Sequence, residues 1–109
     1  MLGGRRLMAG YRVSTPAKRD IVEILEYLVE NAGGRIALDT EARIRSAFRT
    51  LAAFPALGRP RPEMTSKPAL FFTVGIYVIV YRLESNTVVV FAILHGSRDI
   101  KAILQERPF

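Results

Sequence analysis

The sequence predicts an α+β domain with elements in the order β-α-α-β-β-β, a helical hairpin packed on one face of a small antiparallel sheet. Three observations carry that expectation. Residues 17–28 place Ala17, Ile21, Ile24, Leu25 and Leu28 at helical spacing, and a second helical pattern follows a Gly-Gly link. Residues 76–83 and 88–94 are apolar runs of strand length, rich in Val, Ile, Tyr and Phe. Between these two runs, Glu84-Ser85-Asn86-Thr87 is a polar turn of the kind that closes a β-hairpin.

Taken in order, Tyr11–Val13 reads as a short first strand. Ser14 or Thr15 supplies an N-cap, and Pro16 follows where its missing N–H is harmless. Lys18, Arg19, Glu23, Glu26 and Glu30 lie opposite the apolar stripe, and Gly33-Gly34 ends the helix. The second helix spans about 35–53, with Ile44, Ala47, Phe48 and Leu51 as its stripe. Asp39 with Arg43, and Glu41 with Arg45, stand four residues apart in the favourable order. Phe54-Pro55 stops it, and the short link predicts an antiparallel hairpin. Pro55, Pro60, Pro62 and Pro68 make the following segment a stiff, non-helical loop that presents Arg59 and Arg61. Leu70–Val74 is the next strand, and it turns at Gly75 into 76–83. After Asp99 as N-cap, 100–104 reads as a final short helix or as an extension of the strand.

At 109 residues the chain is one domain, 11–109, preceded by a poorly ordered tail at 1–10. Met8 is a second candidate start. The tail has arginines but no apolar stretch of signal-peptide type, and no run is long enough to span a bilayer. The absence of cysteine removes disulfides and thiolate metal sites, which fits a cytoplasmic protein. The formal charge is +6, and thirteen of the sixteen basic residues are arginine. Between positions 42 and 82 seven basic residues face a single acid, Glu63. Such a surface suits an acidic protein segment or a nucleic-acid complex, or is simply solvated. No P-loop, HExxH, EF-hand or GxSxG pattern is present, so neither a metal nor an organic cofactor is expected.

Strict alternation places Ile76, Val78, Val80 and Arg82 on one face of the third strand. On the fourth it groups Val89, Phe91, Ile93 and His95. Both faces of both strands are then apolar, whereas a half-solvated antiparallel sheet alternates with polar residues. Two helices cover one face. The other needs a partner chain, a second copy, or a fold-back of either terminus.

The motifs Gly58-Arg59-Pro60-Arg61-Pro62-Glu63, Tyr77-Val78-Ile79-Val80-Tyr81-Arg82 and Leu94-His95-Gly96-Ser97-Arg98-Asp99 occur in that order. Tyr11-Arg12-Val13-Ser14 and Ala17-Lys18-Arg19-Asp20 open the chain. In order and spacing they resemble the ParE branch of the RelE/ParE toxin superfamily over nearly the whole sequence. The resemblance implies a toxin of a type II toxin–antitoxin pair that causes growth arrest by binding DNA gyrase, without catalysis of its own. It also implies neutralisation by a cognate, ParD-like antitoxin with an acidic C-terminal segment, and contact with DNA only through the complex. Arg59, Arg61, Arg82, Arg98 and Phe109 are the candidates for target contact. Ile76, Val78, Val80, Val89, Phe91 and Ile93 are the candidates for antitoxin contact.

The alternative within the superfamily is a RelE-like, ribosome-dependent mRNA endoribonuclease. Such a nuclease would use Arg82, His95 and Arg98, because cleavage needs a proton acceptor, cations at the phosphorane and a proton donor. His95 is the one histidine, and no tyrosine follows Tyr81, which departs from the RelE pattern. The plainer reading of His95-Gly96-Ser97-Arg98-Asp99 is a turn fixed by histidine hydrogen bonds, with Arg98 and Asp99 as a local ion pair. A non-toxic binding remnant of the family is the third reading.

Overall fold

The first helix starts where Ser14 caps it. In the computed structural model, which describes residues 10–108, the Ser14 hydroxyl accepts the Ala17 N–H at 3.2 Å. The tail beyond Gly10 and the terminal Phe109 lie outside the described residues. The elements are β1 (Tyr11–Val13), α1 (Thr15–Ala32), α2 (Gly34–Ala53), β2 (Leu70–Val74), β3 (Tyr77–Glu84), β4 (Thr87–His95) and α3 (Ile100–Glu106). Gly33, at φ 97°, makes the link between α1 and α2 that an L side chain would resist. The proline-rich loop holds one 3₁₀ turn, Pro55–Leu57, where a helix was not expected; Pro55 supplies its first φ.

The sheet order is β1-β4-β3-β2. β2, β3 and β4 form the expected antiparallel meander, but the sheet as a whole is mixed. β1 joins it parallel to β4, with Tyr11 opposite Val88 and Val13 opposite Val90. Parallel neighbours need a long connection, and here the helical hairpin and two strands intervene.

Both sheet faces are buried. On one, Ala17, Ile44, Phe48 and Leu51 of the helical hairpin pack on Ile79, Tyr81, Val88 and Val90. On the other, Ile100 and Leu104 of α3 pack on Val78, Val80, Ala92 and Leu94, beside Ala69 and Phe71. Asp99 decides the form of that last element, since its Oδ1 accepts the Ala102 N–H at 3.1 Å and nucleates a helix. The C-terminus therefore folds back over the second face, one of the covers that the two-sided strands called for.

One face assignment needs correction. Strict alternation put Ile93 with Val89 and Phe91. The register slips between Val80 and Tyr81: Val80 pairs with Ala92 and Tyr81 with Val90, which leaves Phe91 as the extra residue of a β-bulge. The extra residue shifts the parity of everything after it. Ile93 consequently packs under the helical hairpin, and Ala92 and Leu94 under α3.

Candidate functional site

Three of the candidate arginines converge on the α3 side of the sheet. Arg59 is held by its backbone, which exchanges hydrogen bonds with Phe71 at 3.0 and 2.8 Å along the outer edge of β2. Its side chain is left exposed. The Arg61 guanidinium lies 5.8 Å from the Phe71 ring centre and donates to Glu63 at 3.0 Å. The Arg82 guanidinium lies 4.9 Å from the Phe91 ring centre and donates through Nε to Glu84 at 2.9 Å. Phe71 pairs with Val80, two residues before Arg82, so the stacked arginines share a neighbourhood. Stacking on a ring restricts a flexible cation without neutralising it. Arg12 joins from β1, donating to Glu84 at 3.1 Å. The hydrogen bond from Arg82 is the largest of the effects that hold the Glu84 carboxyl below its ordinary range.

The loop that carries Arg59 and Arg61 is fixed by Tyr81. Its buried hydroxyl donates to the Pro55 carbonyl at 2.6 Å and accepts the Gly58 N–H at 2.8 Å. Gly58 is required there, because a Cβ would fall 2.4 Å from that hydroxyl oxygen.

His95 and Arg98 lie elsewhere. His95 pairs with Tyr77, whereas Arg82 pairs with Val89, six residues earlier on β4. One of those six is the bulge residue, so the separation is that of the five residues from Tyr77 to Arg82 on β3, about 17 Å. The bulge also sends His95 to the helical-hairpin side, where it lines a cleft with Glu23, Tyr27, Ile76 and Arg98. The structure therefore separates Arg82 from His95 by both distance and sheet face. The His95 Nδ1 accepts from the Ser97 N–H at 3.0 Å and from its hydroxyl at 2.8 Å, the turn-fixing arrangement. Asp99 caps α3, and no ion pair between Arg98 and Asp99 occurs among the described residues.

Among the antitoxin-contact candidates, Ile76 is exposed, at 58%. Val78 and Val80 lie beneath α3, Ile93 lies beneath the helical hairpin, and Val89 and Phe91 are also buried. Phe109 lies outside the described residues.

Sequence reasoning missed the group that ties α3 down. The Asp20 carboxylate accepts two hydrogen bonds from Arg107, at 2.6 and 3.1 Å, and the Ile93 N–H at 3.0 Å. Arg107 also donates to the Phe91 carbonyl at 3.1 Å. β1 pairs with β4 only as far as Val90, so β4 has an open edge beyond it. The Asp20–Arg107 pair supplies the donor and acceptor that the missing strand would have given. A signal was present: Asp20 stands among Ala17, Ile21 and Ile24, a carboxylate within an apolar stripe.

The architecture, a helical hairpin and a short C-terminal helix on opposite faces of a four-stranded mixed sheet, is that of the toxin superfamily. A chain of the chromosomal ParDE toxin–antitoxin system from P. aeruginosa superposes with a TM-score of 0.70, at 18% identity, over 81% of this chain and 96% of that one. A chain of the toxin–antitoxin complex RelBE2 from Mycobacterium tuberculosis does so at 0.58, with 23% identity, over 81% and 98%. Residues 11–100 match the family described as the ParE toxin of the type II toxin–antitoxin system parDE. Toxin ParE3 of Caulobacter vibrioides is 34% identical over 93 residues, which cover 84% of this chain and 91% of that protein. The chain belongs to the ParE toxin family.

Proposed function

We propose that this chain is the toxin of a type II pair that binds and inhibits DNA gyrase, and that a cognate antitoxin neutralises it in the cytoplasm. The observation that carries the reading is the clustering of Arg59, Arg61 and Arg82 on one sheet face, with the sole histidine about 17 Å away on the other. Fixed cations whose neighbouring carboxylates, Glu63 and Glu84, are already committed to ion pairs with them serve binding better than phosphodiester cleavage. Arg98 and Phe109 remain candidate contacts outside this cluster. Membership of the ParE toxin family is in keeping with a gyrase target, and an antitoxin with an acidic C-terminal segment suits the basic surface. Because Ile76 is the exposed member of the apolar set, antitoxin contact there centres on the cleft mouth around it.

The purified chain, freed of antitoxin, is expected to abolish supercoiling by gyrase and to leave linearised plasmid. Replacing Arg61 and Arg82 together by alanine should weaken inhibition at least tenfold with unchanged circular dichroism, since arginine is enriched among interface hot spots, where truncation costs about 2 kcal/mol or more. Undisturbed supercoiling by a folded sample would overturn the gyrase reading. Cleavage of messenger RNA on added ribosomes would then establish the nuclease alternative, in which Arg82 occupies the strand position of the superfamily arginine.

A further inference from the structure

We infer that the outer face of α1 is a self-association surface, on which a second copy of this chain docks its own α1 antiparallel. The inference is independent of the target that the basic face binds.

The face has the spacing of a helix–helix seam. Lys18, Val22, Leu25 and Val29 follow one another at intervals of four, three and four, the repeat of two helices packed side by side. Val22 and Val29 are 53% and 54% exposed, although β-branched residues on a solvated helix face favour neither solubility nor helix propensity. Val22, Leu25 and Val29 line a shallow groove flanked by Glu23, Glu26 and Glu30.

The charges on this face identify the occupant. Lys18 and Arg19 stand near the N-terminus of α1, while Glu26 and Glu30 stand toward its C-terminus. That order opposes the helix macrodipole, and α1 has no acid in its first turn and no base in its last. Neither Arg19 nor Glu26 is in an ion pair among the described residues. A second α1 running antiparallel resolves both conditions. With Val22 opposite Leu25 of the second copy, Arg19 comes beside Glu26 of that copy, and the two-fold axis repeats the contact. Lys18 at the same time approaches the Glu30 end of the other helix, and the two macrodipoles oppose each other. A parallel pair would instead set like charges together. One seam between two helices of 18 residues lies at the small end of specific interfaces, so the dimer is weak and concentration-dependent.

Sedimentation equilibrium of the purified full chain tests this. The expected result is a monomer–dimer equilibrium that Val22→Asp abolishes. Arg19→Glu and Glu26→Arg should each weaken the dimer roughly tenfold, since each change acts twice by symmetry. The double variant Arg19→Glu/Glu26→Arg should regain the lost affinity, because exchanging the partners restores complementarity. The same exchange moves charges in the direction the macrodipole favours, so helix content and melting temperature should hold or rise. A purely structural role for these residues predicts no such recovery of association. The inference is overturned by a chain that stays monomeric into the high micromolar range. It is also overturned by a dimer indifferent to all three variants, or by hydrogen-exchange protection of residues 22–29 that appears on adding antitoxin but not on concentrating the chain.

Discussion

Replacing Asp20 by alanine is expected to destabilise the chain by about 3–5 kcal/mol, the cost of removing one partner from a buried ion pair. The side chains are 9% and 16% exposed, so little water is available to solvate Arg107 once its carboxylate is gone. The Ile93 N–H loses its acceptor in the same step. Asp20→Asn should cost less, because an amide oxygen can still accept from Ile93 while the charge on Arg107 goes unanswered. Urea unfolding of Asp20→Ala, Arg107→Gln and the double variant measures the coupling. The double variant should be less damaged than the sum of the singles. Hydrogen exchange adds a spatial test, since the clamp secures α3 and the free edge of β4. Protection should fall first at Ala92, Leu94 and Leu104, the residues that α3 covers or contributes. A loss below about 1 kcal/mol for Asp20→Ala would mean that the pair is no better than a surface salt bridge.

Gly58→Ala is expected to cost about 2–4 kcal/mol, from overpacking together with loss of buried hydrogen bonds. The added Cβ would sit 2.4 Å from the Tyr81 hydroxyl and 2.6 Å from a ring carbon, and Tyr81 is fully buried and cannot swing away. Tyr81→Phe should cost less, about 1–3 kcal/mol, by leaving the Gly58 N–H without its acceptor. Combining the two should rescue only part of the Gly58→Ala loss, because the ring-carbon clash persists. Thermal unfolding of the three variants decides this, and a neutral Gly58→Ala would show that the loop relaxes freely. Tyr81 also predicts an alkaline limit. Burial raises its pKa above the ordinary tyrosine value of about 10, as it does for Tyr77. As pH rises the unfolded chain releases these protons before the folded one does. The stability they confer is complete below about pH 10 and is lost as pH climbs through the unfolded and then the folded values. Tyr81→Phe should flatten that decline.

Local chemistry in the sequence determined the elements of this protein. Ser14 caps α1, Gly33 breaks the helical pattern, Pro55 ends α2, and β-branched runs flank a polar turn at Ser85-Asn86. Each of these depends on neighbours within a few residues, so spacing alone discloses it. The basic stretch around Arg59 and Arg61 and the two-sided apolar character of β3 and β4 were legible for the same reason. Tertiary structure decided what covers the second face, where β1 sits, and which arginines gather. The bulge at Phe91 lies in the pairing of β4 with β3, and it reverses the side to which Ile93 and His95 point. That reversal parts His95 from Arg82, a separation no alternating pattern could reveal. Asp20 and Arg107 are 87 residues apart in the chain, and they meet only because β1 is too short to finish the edge of β4. Such pairings follow from packing and from the need to satisfy every buried polar group, which are properties of the whole fold and leave little trace in local sequence.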